Sequence, residues 1–302
     1  MNPENGVPVS VVIPAYNEEG AVAEVVSGAR RALRDSGREE GRDFEVLVVD
    51  DGSTDATAEA ARAAGARVVS HPVNMGYGRS LLTGFENARF DWLLTADGDG
   101  SYPPSEFVKL LPYAPRFDMV VGSRQGSFFW GNPFRAFLRW TYLSLAGFVA
   151  GIRIPDANSG LRLIHRAKIQ PSMPVLCYGY SLSTTMTLSF LQAGCFVTFV
   201  PVAYVARKGR SKVRMLRDVL RTLQIMTQVI LYYNPLKFAV FLTLLPIAGS
   251  AFFLARPLLG AGAPLDSALA ALCLLSALFV FLVGCLLDSL RLHHGPLRKT
   301  GG

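Results

Sequence analysis

Two carboxylates separated by one glycine are the residues of this chain best suited to chemistry. Asp97 and Asp99 lie within DWLLTADGDGSYPP (91–104), after a short apolar run and just before two prolines. Carboxylates this close disfavour each other's ionisation unless a cation or solvent lies between them. The pattern fits either a solvated Asp-Gly turn or a site for Mg²⁺ or Mn²⁺, hard ions that take carboxylate oxygens and complete their shell with substrate phosphates.

Polar clusters follow the other apolar runs in the same way. Residues 9 to about 122 alternate short Val/Ile/Leu runs with amphipathic stretches, which predicts an α/β fold with a parallel sheet covered on both faces. Ligands of such sheets bind beyond the carboxyl ends of the strands. The clusters found there are PAYNE (14–18), DDGS (50–53), DGDG (97–100) and GSR (122–124). Their convergence on one sheet edge favours a cation site at Asp97 and Asp99.

The pattern loosens after residue 125. It predicts a helix over 133–151, a short strand over 160–165, a helix over 181–194 and a long strand over 195–206. In SKVRMLRDVLRTLQIMTQVILYY (211–233), cations crowd the first half while apolar residues recur at helical spacing. This favours a helix lying on a membrane surface, with packing on the soluble domain as the alternative.

Two charge-free apolar runs near the C-terminus predict a membrane hairpin. They are FAVFLTLLPIAGSAFFLA (238–255) and SALAALCLLSALFVFLVGCLL (267–287), in a chain whose mean hydropathy is +0.30. Each approaches the roughly 20 apolar residues that span a hydrocarbon core. Spans at about 236–256 and 267–288 would return the chain to the side from which it entered.

Charge at the two ends of this hairpin predicts its orientation. Basic segments precede it (207–221) and follow it (291–299), as the positive-inside rule expects for cytoplasmic ends. The N-terminal residues lack a signal-peptide pattern, so we expect a multi-pass protein of the cytoplasmic membrane with its polar domain on the cytoplasmic face. These segments carry most of the excess behind the formal net charge of +7. Anionic lipid head groups and a phosphorylated substrate account for it without nucleic acid.

The cysteines give no sign of disulfides. None of the four has a paired or CxxC spacing, and two lie in the predicted spans; they are Cys177, Cys195, Cys273 and Cys285. We interpret them as free thiols in a reducing compartment.

An ordered set of motifs resembles family 2 glycosyltransferases. The motifs are VVIPAYNEE, VVDDGSTDAT, NMGYGRSLLTGF, DGDGSYPP, GSR, DANSGLRL and RKGRSK, which together span about residues 8–232. The last motif, placed before a membrane segment, is similar to the polyprenyl-phosphate glycosyltransferase branch, which includes dolichyl-phosphate mannose synthases and bacterial undecaprenyl-phosphate sugar transferases. The trailing hairpin resembles the membrane-anchored members of that branch.

The resemblance implies a GT-A fold, a nucleotide-sugar-binding α/β domain, and a role for each motif residue. The nucleotide-sugar pocket would be lined by Pro14, Ala15, Tyr16, Glu18, Asp50, Asp51 and Gly98. Asp97 and Asp99 would hold the metal on the donor diphosphate, Asp99 more directly. Donor and acceptor phosphates would be gathered by Arg124, Arg135, Arg207, Ser211 and Lys212, with Arg124, Arg207 and Lys212 counted as catalytic alongside the two aspartates.

Two positions depart from the family pattern. Ser101 stands where the family usually has a glutamine that serves as a further metal ligand, which puts the metal affinity or preference in doubt. Arg139 stands where the branch often has a serine, either as an added phosphate contact or as a solvated helix charge.

A polyprenyl phosphate acceptor would need no strong protein base. A phosphate monoester carries about −1.5 to −2 charge at neutral pH, so its oxygen is already nucleophilic. The remaining task is to neutralise the nucleotide diphosphate leaving group and align an in-line, inverting attack. None of the four histidines lies in the motifs, and we expect them to be surface or helix-end residues; they are His71, His165, His293 and His294. Asp156 could position the acceptor.

Three alternatives remain at this point. A processive polysaccharide synthase shares the motifs, but here the Gln of its Q-x-x-R-W motif is Ala136 and only two spans are present. A catalytically silent membrane scaffold would not need the intact carboxylates. Another lipid acceptor with a hydroxyl group would need a general base, and the motifs offer none beyond the metal-site carboxylates.

The sequence thus predicts four segments. They are a cytoplasmic GT-A catalytic domain (1–206), a basic juxtamembrane amphipathic helix (207–233), a two-span transmembrane hairpin (234–290) and a basic cytoplasmic tail (291–302). The expected partners are a nucleotide-sugar, a polyprenyl phosphate and anionic lipid head groups, and the hairpin leaves lateral surface for a homo-oligomer.

Overall fold

The computed structural model describes residues 6–125, 133–169, 182–205 and 215–294. Within these, the side chains of Arg135, residues 215–222 and His294 are not described. The chain divides into two compact units, Met1–Met226 and Thr227–Gly302. Arg207, Ser211, Lys212 and Cys177 lie outside the described residues.

A seven-stranded sheet forms the centre of the first unit. Its strands are β1 (Val9–Ala15), β2 (Phe44–Asp50), β3 (Arg67–Ser70), β4 (Trp92–Thr95), β5 (Met119–Gln125), β6 (Arg162–His165) and β7 (Val197–Ala203). They are ordered β3-β2-β1-β4-β6-β5-β7. Only β6 runs against its neighbours, since it pairs antiparallel with both β4 and β5 while the other pairings are parallel. The prediction of a mainly parallel sheet is confirmed.

Helices connect these strands. Those of the first unit are α1 (Val22–Asp35), α2 (Thr57–Ala63), α3 (Tyr77–Asn87), α4 (Ser105–Val108), α5 (Pro133–Ala150) and α6 (Leu182–Gln192). A further helix, α7 (Met215–Tyr233), continues into the second unit. After DGDGSYPP, α4 ends at Val108 and a separate 3-10 turn follows at Leu111–Tyr113.

The sheet separates two apolar layers, as the alternation of side chains along a strand requires. Val9, Val11 and Ile13 of β1 pack with α1 in one layer, whereas Val12 packs with α3 and α6 in the other. Both faces of β1 are therefore buried, which explains why it reads as an unbroken apolar run rather than an alternating one.

The antiparallel direction of β6 matters for function. Arg162 pairs with Thr95, the last residue of β4, so β6 begins where β4 ends. The segment before β6, residues 156–161, therefore lies at the same sheet edge as the segments that follow the parallel strands.

The second unit contains two long apolar helices joined by a short loop. They are α8 (Pro235–Leu258) and α9 (Asp266–His294), and both are long and apolar enough to cross a membrane. A Cβ atom on Gly284 would overlap Ala239, so the two helices touch closely at that point. At the loop, Arg256 forms an ion pair with the buried Asp266 (Nη1 to Oδ1, 3.0 Å).

Most apolar side chains of these helices are exposed. Leu245 is 82% exposed and Phe279 69% exposed. A core helix of a soluble protein would be covered, so the hairpin needs an apolar environment outside this unit.

Candidate functional site

The loops after β1 and β2 are tied together by side chain to backbone hydrogen bonds. The N–H of Asn17 donates to Ser53 Oγ (2.9 Å), and the N–H of Thr54 donates to Asn17 Oδ1 (2.9 Å). The N–H of Glu18 donates to Thr57 Oγ1 (2.8 Å). The PAYNE and DDGS segments, widely separated in sequence, therefore form one wall of the site, in which Pro14 and Ala15 are buried and Tyr16 and Glu18 half-buried.

Asp50 and Asp51 at the end of β2 hold this wall together. Asp50 Oδ1 accepts from the N–H of Ser53 (3.2 Å), and the N–H of Asp51 donates to the carbonyl of Ala15 (2.8 Å). The side chain of Asp51 is buried and contacts the segment 71–76. Its Oδ1 lies 2.8 Å from His71 Nδ1 and accepts from Met75 N–H (2.9 Å), and its Oδ2 accepts from Gly76 N–H (2.8 Å).

His71 is therefore not the surface residue expected from sequence. Its side chain is only 10% exposed, and its Nε2 lies 2.9 Å from Thr83 Oγ1 of α3. Sequence reasoning missed it because Asp51, the residue it serves, is 20 positions earlier in the chain.

The turn that carries the two central carboxylates lies against the end of β1. A Cβ atom on Gly98 would come within 3.1 Å of the carbonyl oxygen of Pro14, so glycine permits this approach. Asp99 Oδ1 accepts the N–H of Ser101 (3.0 Å), which fixes the turn. A Cβ atom on Gly160 would overlap both carboxylate oxygens of Asp97, so the backbone of the segment before β6 closes directly over that carboxylate.

Asp97 sits in an environment that disfavours its negative charge. Burial, and then the charge of Asp99, raises the pKa of Asp97 to about 6. The hydroxyl of Tyr77, the first residue of α3, donates to Asp97 Oδ1 (3.1 Å). Burial and the charge of Asp97 also raise the pKa of Tyr77, which keeps this hydroxyl protonated as a donor. Tyr77 is a site residue that the sequence placed in a motif without giving it a role.

Arg124, at the end of β5, is held by a buried carboxylate. Its Nε donates to Asp156 Oδ2 (2.7 Å) and its Nη2 to Asp156 Oδ1 (2.9 Å). Its guanidinium carbon lies 5.2 Å from the centre of the Tyr204 ring. Burial alone would lower the pKa of Arg124, but Asp156 outweighs it and raises that pKa. Both carboxylate oxygens of Asp156 thus accept hydrogen bonds from Arg124. This arrangement does not support the predicted contact between Asp156 and an acceptor.

The segment before β6 is fixed from two sides. Arg162, only 2% exposed, donates through Nε to the carbonyl of Ser159 (2.8 Å) and through Nη2 to the carbonyl of Ala157 (2.9 Å). The hydroxyl of Tyr102 accepts the N–H of Gly160 (3.0 Å) and lies 3.1 Å from Ser159 Oγ. One short segment therefore carries both Asp156, which holds Arg124, and Gly160, which encloses Asp97.

The sheet edge thus gathers most of the predicted residues that the structure describes. The ends of β1, β2 and β5 and the turn after β4 meet there, and the charge of Arg124 reaches Asp97, whose pKa it lowers in part. Arg139 lies in α5 and is half-buried, while Arg135 lies in the same helix with its side chain undescribed.

The residues present suit a divalent cation that takes some of its ligands from the protein and the others from a substrate. Among the described residues, no group of three or more His, Cys, Asp or Glu side chains could hold a metal alone. Asp97 and Asp99 offer two hard oxygen ligands, and a cation between them would relieve the repulsion that raises the pKa of Asp97. Ser101 Oγ is buried and has no hydrogen-bond partner within the described part of the chain, so this hydroxyl is not committed elsewhere.

These features define a GT-A-like α/β domain: a mostly parallel sheet whose acidic turn, after a central strand, lies beside the end of the first strand. The particular family follows from comparison. The model of glycosyl transferase family 2 matches residues 10–171, more than half of the chain, and the chain belongs to that family.

Relatives and solved structures agree with this assignment. Over 198 residues the chain is 42% identical to undecaprenyl-phosphate 4-deoxy-4-formamido-L-arabinose transferase of Pseudomonas aeruginosa (strain LESB58), a match covering 58% of this chain and 55% of the relative. The chain therefore spans about half the length of the curated relatives it matches. Mannosyl-3-phosphoglycerate synthase from Rubrobacter xylanophilus shares the fold, with a TM-score of 0.55 at 22% identity over 74% of this chain and 72% of that one. Glucosyl-3-phosphoglycerate synthase from Mycobacterium tuberculosis, in complex with Mn²⁺ and UDP-glucose, has a TM-score of 0.54 at 25% identity over 76% and 78% of the two chains.

Proposed function

We propose that this protein is a membrane-anchored, inverting glycosyltransferase that moves one sugar from a nucleotide-sugar to a polyprenyl phosphate such as undecaprenyl phosphate. The observation that carries the proposal is the 42% identity, over 198 residues, to a protein named undecaprenyl-phosphate 4-deoxy-4-formamido-L-arabinose transferase. The charged groups gathered at the sheet edge are those that such a reaction requires.

The donor would bind along the wall formed by the loops after β1 and β2, with its diphosphate near Asp97 and Asp99. A UDP- or GDP-linked sugar is the substrate class, and UDP is the first to test because the M. tuberculosis structure holds UDP-glucose. Asp97 and Asp99 would hold Mg²⁺ or Mn²⁺, which neutralises charge on a leaving diphosphate when bound.

The acceptor phosphate would be drawn by fixed cations. Asp156 and Tyr204 fix the orientation of the Arg124 guanidinium before substrate binds. A cation that is already oriented needs little reorganisation during the reaction, which lowers the barrier. A phosphate oxygen of the lipid would form the new bond to the anomeric carbon. The bond from that carbon to the diphosphate oxygen would break, and the leaving diphosphate would keep the electron pair. Because the attacking oxygen is already charged, the site needs no strong base.

The hairpin would anchor this domain where the acceptor resides. Two helices with mean hydropathies of 2.2 and 2.8 and mostly exposed apolar side chains fit insertion into a bilayer. We propose that both ends of the hairpin lie on the cytoplasmic face, as the flanking basic residues indicate. The boundaries of the catalytic domain, juxtamembrane helix, hairpin and tail at 206, 233 and 290 belong to this proposal, as does the interfacial position of α7.

The test is a transfer assay with the purified full chain, Mg²⁺ or Mn²⁺ and undecaprenyl phosphate. The donor panel contains UDP- and GDP-sugars, including the nucleotide-linked form of the arabinose derivative in the relative's name. We expect one donor to give a lipid carrying a single sugar, with inverted anomeric configuration by NMR. Asp99→Ala should abolish transfer, because it removes a carboxylate that holds the cation.

A matched control is available at the other end of the same strand. Asp91 precedes β4 at the opposite sheet edge and its side chain is 76% exposed. Asp91→Ala should leave transfer close to the wild-type rate. Retained configuration, long polymer as product, or transfer that survives Asp99→Ala would each refute the proposed reaction.

A further inference from the structure

The connection from β3 to α3, residues 71–76, is built as a strap across the end of β2. At its start, the N–H of His71 donates to the carbonyl of Asp50 (2.8 Å). At its middle, the backbone of Val73 and Asn74 lies directly on Gly52, where a Cβ atom would come within 2.6 Å of the Val73 carbonyl carbon. At its end, Gly76 leads into α3.

The carboxylate of Asp51 forms its hydrogen bonds with residues of this strap. It is 3% exposed and accepts from Met75 N–H and Gly76 N–H while contacting His71 Nδ1. With two backbone donors and the imidazole satisfying its oxygens, the carboxylate has its hydrogen-bonding capacity largely filled by the protein itself.

The geometry assigns a tautomer to His71. An ionised Asp51 only accepts hydrogen bonds, so the proton of a neutral His71 lies on Nδ1, and Nε2 accepts from the hydroxyl of Thr83. His71 thereby joins Asp51 to α3, one turn and a half beyond the start of that helix. The strap thus holds the start of α3, and the histidine holds Thr83 further along the same helix.

That helix end carries Tyr77, whose hydroxyl donates to Asp97 (3.1 Å). A continuous path of contacts thus runs from Asp51 through His71 and the strap to Tyr77, and from Tyr77 to the carboxylate proposed to hold the cation.

We infer that Asp51 and His71 are positioning residues that, through the strap, set Tyr77 against Asp97 and so orient that carboxylate for the divalent cation. This rests on the proposed function, and it replaces the direct nucleoside contact predicted for Asp51 with a supporting role. Tyr77 in turn is a positioning residue for the cation site.

The test is a double-mutant cycle on Mn²⁺ affinity, measured by electron paramagnetic resonance on the full chain with UDP present. His71→Leu removes both imidazole nitrogens, and Tyr77→Phe removes the hydroxyl that reaches Asp97. We expect each to weaken Mn²⁺ binding about tenfold or more, with no further loss in the double variant, because both act through one contact.

Conservative replacement and a control sharpen the test. His71→Asn keeps an N–H donor at the place of Nδ1 and should recover most of the affinity. His165→Leu makes the same change at a histidine that packs edge-on against Trp92 at the opposite sheet edge, and it should leave Mn²⁺ affinity unchanged. If His71→Leu does not fold, Asp51→Asn, which keeps the size of the side chain but replaces one accepting oxygen with an NH₂ group, takes its place in the cycle.

The outcomes separate the two proposals. Additive losses in the cycle, or wild-type affinity in His71→Leu, would overturn the strap inference, as would a wild-type protein that binds no Mn²⁺. A non-additive cycle in a protein that transfers no sugar to lipid would support the inference and refute the proposed acceptor. In an active protein, we expect kcat to fall with less change in the donor KM, since a nucleoside contact would not be lost.

Discussion

Asp97 illustrates a residue whose proposed function opposes stability. Its pKa, raised by burial and by Asp99 to about 6, exceeds that of an unfolded aspartate, so the folded chain binds the proton more tightly than the unfolded chain. Without metal, stability therefore falls as pH rises from about 4 through 6 and stays reduced above it. The shift corresponds to a penalty of up to about 3 kcal/mol at neutral pH.

Asp97→Asn should therefore stabilise the metal-free protein while abolishing the proposed sugar transfer. The amide removes the charge and can still accept from Tyr77. We expect the midpoint of thermal unfolding, measured with a chelator at pH 7.5, to rise by several degrees, and the difference from wild type to shrink as pH is lowered to 5. Asp91→Asn, at an exposed position, should change neither value. Equal stabilities of wild type and Asp97→Asn at pH 7.5 would contradict this account.

At the scale of elements, the segment 156–161 lies directly against the carboxylate of Asp97. A side chain on Gly160 would overlap the oxygens of Asp97. Gly160→Ala should displace that carboxylate and weaken Mn²⁺ binding about tenfold or more, with unfolding still cooperative, because a shifted ligand loses its geometry. Calorimetry or paramagnetic resonance with UDP present measures the affinity.

Gly20→Ala is the matched control for that change. A Cβ atom at Gly20 would have nothing within 4 Å. The affinity of the Gly20→Ala protein for Mn²⁺ should therefore match that of the wild type. If the Gly160→Ala protein binds Mn²⁺ with unaltered affinity, residues 156–161 accommodate the added methyl group without displacing Asp97.

Elements governed by local pattern were predictable from sequence, whereas their long-range partners were not. Apolar runs and the polar clusters after them indicated β1, β2, β4 and β5 and placed Asp97 and Asp99 at the edge where these strands end. The direction of β6 depends on pairing with β4 and β5, which a four-residue run does not encode. The pairing of Arg124 with Asp156, 32 residues away, and that of Asp51 with His71 were missed for the same reason. The helix α4 ends at Val108 because Pro112, four residues later, has no N–H to donate to the Val108 carbonyl.

At the scale of the whole molecule, the hairpin makes a topological prediction. Ala261 lies exposed in the loop between α8 and α9, and Glu59 has a 71% exposed side chain in the first unit. If both ends of the hairpin are cytoplasmic, a membrane-impermeant maleimide should label Ala261→Cys in intact cells. It should label Glu59→Cys only after permeabilisation.

The unmodified protein, with its native cysteines, supplies the background for this experiment. Labelling of Glu59→Cys in intact cells would place the polar domain on the outer face. Labelling of neither variant until permeabilisation would mean that the hairpin does not cross the bilayer.

The double duty of residues 156–160 has a consequence for attempts to change what the protein accepts. The same five residues enclose Asp97 through Gly160 and anchor Arg124 through Asp156, so a substitution made to change the proposed donor will also affect the proposed acceptor. Variant libraries that change only the residues around Asp97, or only those around Arg124, should yield mostly proteins with reduced transfer. Productive changes should appear as paired substitutions, and their effects should depend on the order in which they are acquired.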